Sequence, residues 1–556
     1  MNRYIELMAR TLDAYSDGDI IEYTERVERE GLTEHGFPRL AVNLGILISH
    51  GYRVGLLPLF IRMMDLCCRE IPRVRAANNF SVKEIILCIL ELERTELVPR
   101  ERIMLWRSQL SSIDRWQAYE LVVRSREETA FNWVLFASVS EHLRGLVGLC
   151  DDEGEFIETQ LATQMRLLDE NGMYRDDLFL ATIVYDYVSR GLFAQLLAFG
   201  YRGEFARRMD ESLMRAGLLS LESLSALGEI PYGGRSNQFL HNEATALITL
   251  EYERRRYEGL GDIERRDAFA ASIDRVLSSL EGWLSREPLS HIKNGFNPRG
   301  GYGCEEYAYF DKYMITTASS LYAAYMISYL DNVIIEDCAF PQAEYKGEAR
   351  TYVASLSNHF GQTVLKAGDY TAQVSHRAKT GYDAIGLGRL HRRGAPSEIC
   401  LSVPCPPKPT YSIGGAEPLP LSLIGLSALD RSALECEECN LLESMVSGDI
   451  AEVSLFANQV TTTYRLSPEG LSVTVHGEGE LCLYLPMLEE CGLGEPFLEI
   501  GTNKALLQYR SWQLEYLTNG EIFDTGSLSY NRNGVYRRLL VRGRSGLAVD
   551  IKITKM

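Results

Sequence analysis

The chain has 556 residues, 46% of them apolar and 24% charged, with a formal net charge of −19. That length exceeds what one hydrophobic core usually holds, so two domains are expected. The fractions are those of a soluble globular protein, and the negative balance argues against nucleic acid as a partner, because phosphate binding needs a basic surface.

A local pocket of Arg, Lys and His can still hold an acidic small molecule against the global field. The first ten residues, MNRYIELMAR, lack the apolar stretch of a secretory signal. No run of 18 or more apolar residues suggests a membrane span. Twelve cysteines, including the adjacent Cys67 and Cys68, show no disulfide-framework spacing, and without a signal they read as reduced thiols of a cytoplasmic protein. Cys436 and Cys439 form a lone C-x-x-C, a weak zinc pattern. Oligomeric state is not legible.

From residue 1 to about 330 the chain reads as helix after helix. Apolar blocks at Ile46–Leu47 and Leu56–Met64 are followed by Val82, Ile85, Ile86, Ile89 and Leu90 at helical spacing. Asn132-Trp133 precedes a helix carrying Glu141, His142 and Arg144. Phe156, Leu161, Met165 and Leu168 continue the pattern. Met173-Tyr-Arg-Asp-Asp177 is followed by Tyr185-Asp186-Tyr187, Arg190 and the apolar Phe193, Leu196 and Leu197. The intervening turns are short, as between antiparallel helices, and no fixed-period repeat is present.

Two polar blocks interrupt this pattern between Gly228 and Tyr313. In the first, Pro231 to Glu243, Gly233 and Gly234 break structure and Ser236 is placed to cap a helix through Phe239, Leu240, Ala244 and Leu247. Asn237 and Gln238 then share a helical turn with His241, with Arg235 just before it. Arginine, two amides and an imidazole at a helix start suit a carboxylate; a polar helix start facing solvent fits the same residues. The second block, Gly300 to Tyr313, begins as a glycine-rich loop and turns helical from Glu305. It gathers Tyr302, Tyr307, Tyr309 and Tyr313 near Lys312. Phenols beside cations can exchange protons or stack on sugar rings, and they equally cap ordinary cores.

Beyond about residue 335 the period becomes two: Val453/Leu455, Leu471/Val473/Val475, Leu481/Leu483/Leu485 and the run Leu547 to Ile553. Frequent turns, such as Pro468-Glu-Gly470 and Asn531–Gly534, suggest an antiparallel β-sandwich. The expected division is an α-helical domain over 1–335 and a β-sandwich domain over 336–556. A further block holds His376-Arg377, Tyr382-Asp383 and Gly386-Leu-Gly-Arg389-Leu-His391. His376, Asp383 and His391 are candidate ligands for a divalent metal, although their spacing matches no known motif.

The order of parts (Asn132-Trp133, Met173-Tyr-Arg-Asp-Asp177, Gly234-Arg-Ser236, the Tyr-rich block, then a β domain) resembles the polysaccharide lyases built from an incomplete (α/α) toroid and an antiparallel β-sandwich. These are the heparinase II/III-like, chondroitin- and alginate-lyase-type proteins. The same landmarks also resemble an uncharacterised bacterial family. The likeness spans most of the chain in layout, but the Asn-x-His signature of some such lyases is not present in clean form. The resemblance implies β-elimination at a uronic acid without a required cofactor. Arg235 with Asn237 or Gln238 would neutralise the carboxylate and stabilise the enolate-like intermediate. His241 and Tyr302 would act as base and acid, with Tyr307, Tyr309 and His391 as alternates. Asp186 and Arg190 would line the cleft, and Lys312 and Arg389 would bind further acidic groups. In a cytoplasm, imported acidic oligosaccharides are the expected substrate. Two other classes fit: an (α/α)-barrel glycoside hydrolase using carboxylates among Glu305, Glu306, Asp311 and Asp186, and a non-catalytic glycan-binding protein.

Overall fold

The computed structural model describes residues 2–74, 78–119, 132–151, 153–176, 181–287, 289–293, 310–330, 350–412, 418–491, 494–544 and 546–556. The helices described are α1 (Arg3–Leu12), α2 (Asp17–Glu30), α3 (Gly36–Ser49), α4 (Leu57–Glu70), α5 (Asn78–Thr95), α6 (Arg100–Ser111) and α7 (Arg115–Ala118). They continue with α8 (Asn132–Leu146), α9 (Glu153–Gln164), α10 (Ile183–Ala198), α11 (Ala206–Ser223), α12 (Leu240–Gly259), α13 (Ile263–Leu284) and α14 (Phe310–Tyr329).

Alternate helices build a ring. α3 packs on α5, α5 on α8, α8 on α10, α10 on α12, α12 on α14, and α14 returns to α3. The helices between them lie outside: α4 on α3, α9 on α8, α11 on α10 and α12, α13 on α12, and α1 on α14. This is an (α/α) toroid. The sequence explains the two layers. Every residue of α3 from Gly36 to Ile48 is buried, as a helix covered on all sides requires. The outer α2 buries only Ile20, Thr24 and Val27, a single stripe at spacings of four and three. Ser16 and Asp19 form a capping box at its start. Among the described residues no helix is long and apolar enough to cross a membrane.

The strands begin at Tyr352. β1 (Tyr352–Ser355), β2 (Gln362–Ala367), β3 (Tyr370–Ser375) and β4 (Gly386–Arg392) form one antiparallel sheet in sequence order. Then come β5 (Leu426–Ser427), β6 (Asn440–Ser447), β7 (Ile450–Ala457), β8 (Val460–Ser467), β9 (Gly470–His476) and β10 (Glu480–Glu490). The last are β11 (Phe497–Ile500), β12 (Lys504–Tyr509), β13 (Trp512–Thr518), β14 (Glu521–Tyr530), β15 (Val535–Arg544) and β16 (Leu547–Lys555). An eight-stranded sheet runs β11-β12-β13-β16-β9-β8-β7-β6, and a smaller one runs β14-β15-β10-β5. The fold class is therefore as expected, helical and then antiparallel β. The expected boundary at 335/336 lies outside the described residues.

The small sheet of β1 to β4 sits between the two halves. β2 and β3 pack on β7 and β8, while β1 meets α11, so β2 and β3 are buried along their whole length. Alternation sorts their side chains. Leu365, Ala367, Ala372, Val374 and Leu390 join the core with the eight-stranded sheet. The opposite face is polar and meets the toroid's backbone. Thr371 Oγ1 accepts from Ala226 N at 2.5 Å, and Gln373 exchanges two bonds with Tyr232, at 3.1 and 2.8 Å. Ser375 Oγ meets the Tyr232 hydroxyl at 2.9 Å, and Arg389 Nη1 donates to Ile230 O at 2.7 Å.

This contact tolerates no extra atom at Gly388. A Cβ there would lie 2.3 Å from Tyr232 Oη and 2.6 Å from Pro404 Cδ. Gly388→Ala is expected to cost about 1–3 kcal/mol by overpacking, whereas Tyr232→Phe removes one hydrogen bond, worth about 1 kcal/mol. Urea unfolding of the two variants, with the alanine variant losing more, checks this reading of the junction.

Candidate active site at the mouth of the helical ring

First turns of the inner helices meet at one end of the ring. Side-chain contacts bring these first turns together. Phe80 of α5 meets Trp133 and Phe136 of α8, ring centroids 4.9 Å apart in both pairs. His241 of α12 meets Tyr313 of α14 at 4.8 Å. Arg39 of α3 bonds Glu84 of α5 at 3.0 Å and Thr316 of α14 at 3.1 Å. Six helix N-termini at one mouth give a positive local potential on a negative chain. Trp133, 43% exposed, stands at its rim.

Deeper along the axis is a small cavity of about 40 Å³ lined from all six inner helices, with Arg39, Lys83, Glu84 and Gln195 its charged and amide groups. Glu84 lies 3.0 Å from Arg39 Nη2 and 3.5 Å from Lys83 Nζ. Burial pushes the Lys83 ammonium below its usual range, against the pull of Glu84.

The connection from Gly228 to Phe239 forms the wall on the β side. Gly228 has φ +79, and a Cβ there would lie 2.5 Å from Arg275 O, so only glycine fits the turn. The expected helix start at Ser236 is not what forms. Ser236 (φ 61) and Gln238 (φ 67) are left-handed, and α12 begins at Leu240 behind Phe239, which makes no side-chain cap. Tertiary pairing overrides the capping signal: Lys293 N donates to Gln238 O at 2.8 Å and Leu240 N to His291 O at 2.9 Å. Asn237 and His241 therefore do not share a helical turn.

Asn237 is a fastener. Its amide donates to Gly234 O (2.9 Å) and Tyr382 O (3.1 Å), and its Oδ1 accepts from Arg532 Nη1 at 2.9 Å. Arg532 lies in the turn between β14 and β15; the next residue, Asn533, donates to Lys293 O at 3.1 Å. Sequence reading took this segment only as a turn, since nothing local marks an arginine that closes a contact 295 positions away.

Two other groups in the wall keep a buried polar atom unsatisfied. Gln238 and His241 are each 2% exposed, yet Gln238 Oε1 and His241 Nδ1 make no hydrogen bond among the described residues. Arg235 is half-buried with its guanidinium over the Tyr185 ring at 5.0 Å, and the Tyr185 hydroxyl reaches Ser236 Oγ at 3.4 Å. Burial, with help from His291 and Arg39, holds His241 down at about 3, so its imidazole is uncharged at neutral pH. The Tyr313 ring lies 4.8 Å from both His241 and Phe239 and stacks on His291 at 6.1 Å. His291 was missed from sequence; its one signal is its place just before the glycine-rich loop.

Several expected site residues are otherwise employed. Asp186 and Arg190 form a buried ion pair at 2.5 Å, with Tyr174 N donating to Asp186 at 2.7 Å. The two are engaged with each other inside the helical core, although Arg190 Nη1 makes no hydrogen bond among the described residues. Arg389 is spent on Ser402 O (2.8 Å), Ile230 O and Glu229 (3.5 Å). His391 lies between Ser225 Oγ (3.2 Å) and Ser402 Oγ (2.6 Å), and burial first, then Arg389, lowers it to about 3. The His376, Asp383 and His391 set does not assemble, and among the described residues no cluster of His, Cys, Asp and Glu suits a metal. Asp383 instead accepts from Gly234 N at 2.8 Å and from Lys379 N, and burial raises its carboxyl to about 7 against those bonds. Tyr302, Tyr307 and Tyr309, with Glu305 and Glu306, lie outside the described residues, as do the side chains of Asp311 and Lys312.

His391, like His241, is uncharged when folded and gains a proton on unfolding below its ordinary pKa of 6.5. The stability each contributes is full above pH 6.5 and is lost as pH falls toward 3, at up to about 1.4 kcal/mol per pH unit for each imidazole. His391→Gln should flatten that decline by one proton. Urea midpoints measured between pH 7 and 4.5 check it; an unchanged slope contradicts the buried neutral state.

No protein-family model matches the sequence, and no curated protein matches it either. Among solved structures, two of heparinase III are similar in fold. One has a TM-score of 0.35 at 9% identity and the other 0.32 at 10%; the first covers 89% of this chain and the second 90%, each spanning 78% of its own. A glycosyl hydrolase family 88 protein from Bacteroides vulgatus aligns at a TM-score of 0.36 and 10% identity, over 56% of this chain and 99% of its own. Likeness at these values assigns no roles, which rest on the geometry above.

Proposed function

We propose that the chain is an enzyme acting on uronic-acid-containing oligosaccharides by β-elimination at the mouth of the ring. The observation that carries this reading is His241: an uncharged, buried imidazole whose Nδ1 has no partner among the described residues, in the same wall as Arg235 and against Tyr313. The sequence resemblance to toroid-and-sandwich lyases supports it.

The C5 proton of a uronate is too weakly acidic to remove until its carboxylate is neutralised. Arg235 with the Gln238 Nε2 amide donating beside it, aided by the helix N-termini, supplies that neutralisation and holds the charge that develops on the carboxylate oxygens. Asn237 is not part of this set, because its amide is consumed. His241 takes the C5 proton. Its low pKa keeps it deprotonated, and the bound carboxylate raises its proton affinity as an opposite charge does. The glycosidic oxygen at C4 then leaves with a proton from a tyrosine hydroxyl, of Tyr302 or Tyr313. The products are a saccharide with a new reducing end and one with a C4–C5 double bond conjugated to the carboxylate, so no water is consumed. No metal is needed for these steps.

Ultraviolet absorbance during incubation with hyaluronan, chondroitin, heparan and alginate oligosaccharides tests this. A rise from the conjugated double bond is expected with at least one, indifferent to EDTA. His241→Ala should lower kcat by about 10²–10⁴-fold, and Arg235→Ala should lower kcat/KM. Tyr302→Phe with full activity would assign the acid to Tyr313. New reducing ends without absorbance would sink elimination in favour of hydrolysis.

A further inference from the structure

Away from the ring mouth, an open cleft of about 640 Å³ lies where the end of α13 faces the turn after β4. Arginines crowd it. Arg275 and Arg286 come from the helical side, Arg393 from the turn after β4, and Arg510 from the turn between β12 and β13. Two of the four make no ion pair among the described residues. The Arg286 guanidinium lies flat against Trp283, 3.6 Å from the ring centroid, with Nη1 buried and making no hydrogen bond among the described residues. Arg510, at φ 58 in its turn, makes no ion pair among the described residues. The two sit close enough for Arg510 to add to the burial that lowers the Arg286 pKa.

The acids along the cleft do not neutralise this excess: two are paired with cations outside the four, and one carboxylate, Glu398, is left to face Arg286. Asp274 is paired with Arg3 at 2.5 Å. Glu229 is paired with Lys293 at 3.1 Å. Glu398 accepts from Ser397 Oγ at 3.0 Å and from the Tyr509 hydroxyl at 3.1 Å. Like charges facing each other beside engaged carboxylates favour a bound anion. Arginine forks pair with carboxylate or sulfate through two bonds. The rest of the lining is small and hydroxylated, including Ser278, Ser279 and Ser285, which suits a ligand rich in hydroxyls.

We propose that this cleft is a second, non-catalytic binding site for an acidic oligosaccharide, in which Arg286 and Arg510 pair with its carboxylate or sulfate groups and the serines meet its hydroxyls. The anion binding rests on the arginines alone, and the sugar rests on the reading of the ring mouth. Its place, on the outer helix next to the β domain, lets one chain of sugars be held while another part is at the mouth.

Titration calorimetry of the full chain with sulfated and with carboxymethylated malto-octaose tests this, since neither probe carries a uronate to eliminate. At least one is expected to bind, and neutral malto-octaose is not. Arg286→Gln with Arg510→Asn should weaken binding by about tenfold or more. Arg510→Asn alone, which suits a left-handed turn, should weaken it less and leave the fold intact. Arg235→Ala should not change it. Binding that survives the double variant, that falls only with Arg235→Ala, that is equal for the neutral sugar, or that is absent for both probes overturns the proposal. Uronate turnover measured on the unaltered chain beside probe binding keeps the two readings apart: absence of turnover with cleft binding intact is a failure of the mouth reading only.

Discussion

Lys293 is the contact on which the junction of the two halves depends. Its ammonium lies 2.8 Å from Glu243 of α12 and 3.1 Å from Glu229 of the connection before it, and Arg389 of β4 adds a second cation 3.5 Å from Glu229. Two cations and two carboxylates, all buried, balance in charge. They do not share it evenly. Burial alone would raise both acids, but Lys293, His391 and Arg389 together hold Glu229 down at about 2, whereas burial and the Glu229 charge raise Glu243 against Lys293 and the Ile230 N–H. Removing one member of such a set leaves an uncompensated buried charge, and this asymmetry makes breaking a buried pair far costlier than never having had it.

From that anchor the wall of the mouth follows. Lys293 N fixes Gln238, Lys293 O is held by Asn533, and Arg532 fixes Asn237. The left-handed residues Ser236 and Gln238 persist because partners on both sides determine the loop. Rigid backbone then presents Gln238 Oε1 and His241 Nδ1 without partners, and polar groups buried in that state are seldom left so without a use. The β domain thus shapes the helical site from behind and contributes little side-chain chemistry to it.

The layout was legible in the sequence because it rests on periodicity. Thirteen consecutive buried positions in α3, and the alternation of Val453 with Leu455 or Leu471 with Val473, are local patterns that burial imposes directly. The junction was not. Arg389 and His391 look like a basic cleft when read along the chain, yet they are the polar face of a strand whose partners, Ile230 and Ser225, are more than 150 positions away. Asp186 and Arg190 were marked as substrate ligands because charge at helical spacing does not say whether the helix is covered. Ser236 misled for a related reason: its capping signal is worth about 1 kcal/mol, less than the paired backbone that displaced it. Arg235, Gln238 and His241 do lie in one wall, as the glycine breaks and clustered polar types suggested, but the helical geometry assigned to them was wrong.

Closure of the ring has a kinetic consequence. Arg39 in α3 finds Thr316 only after another 277 residues have been made, and α3 cannot be covered on that side until α14 exists. At about 5–20 residues per second, that is a wait of roughly 15–55 s during synthesis. Through it, a helix buried on every face must be shielded by α1, α2, α4 and α5 without the helix that closes the ring. Long-range closure is slow for any chain that must find it by diffusion. A segment of this kind, emerging early and completed late, is where a chaperone would be expected to sit.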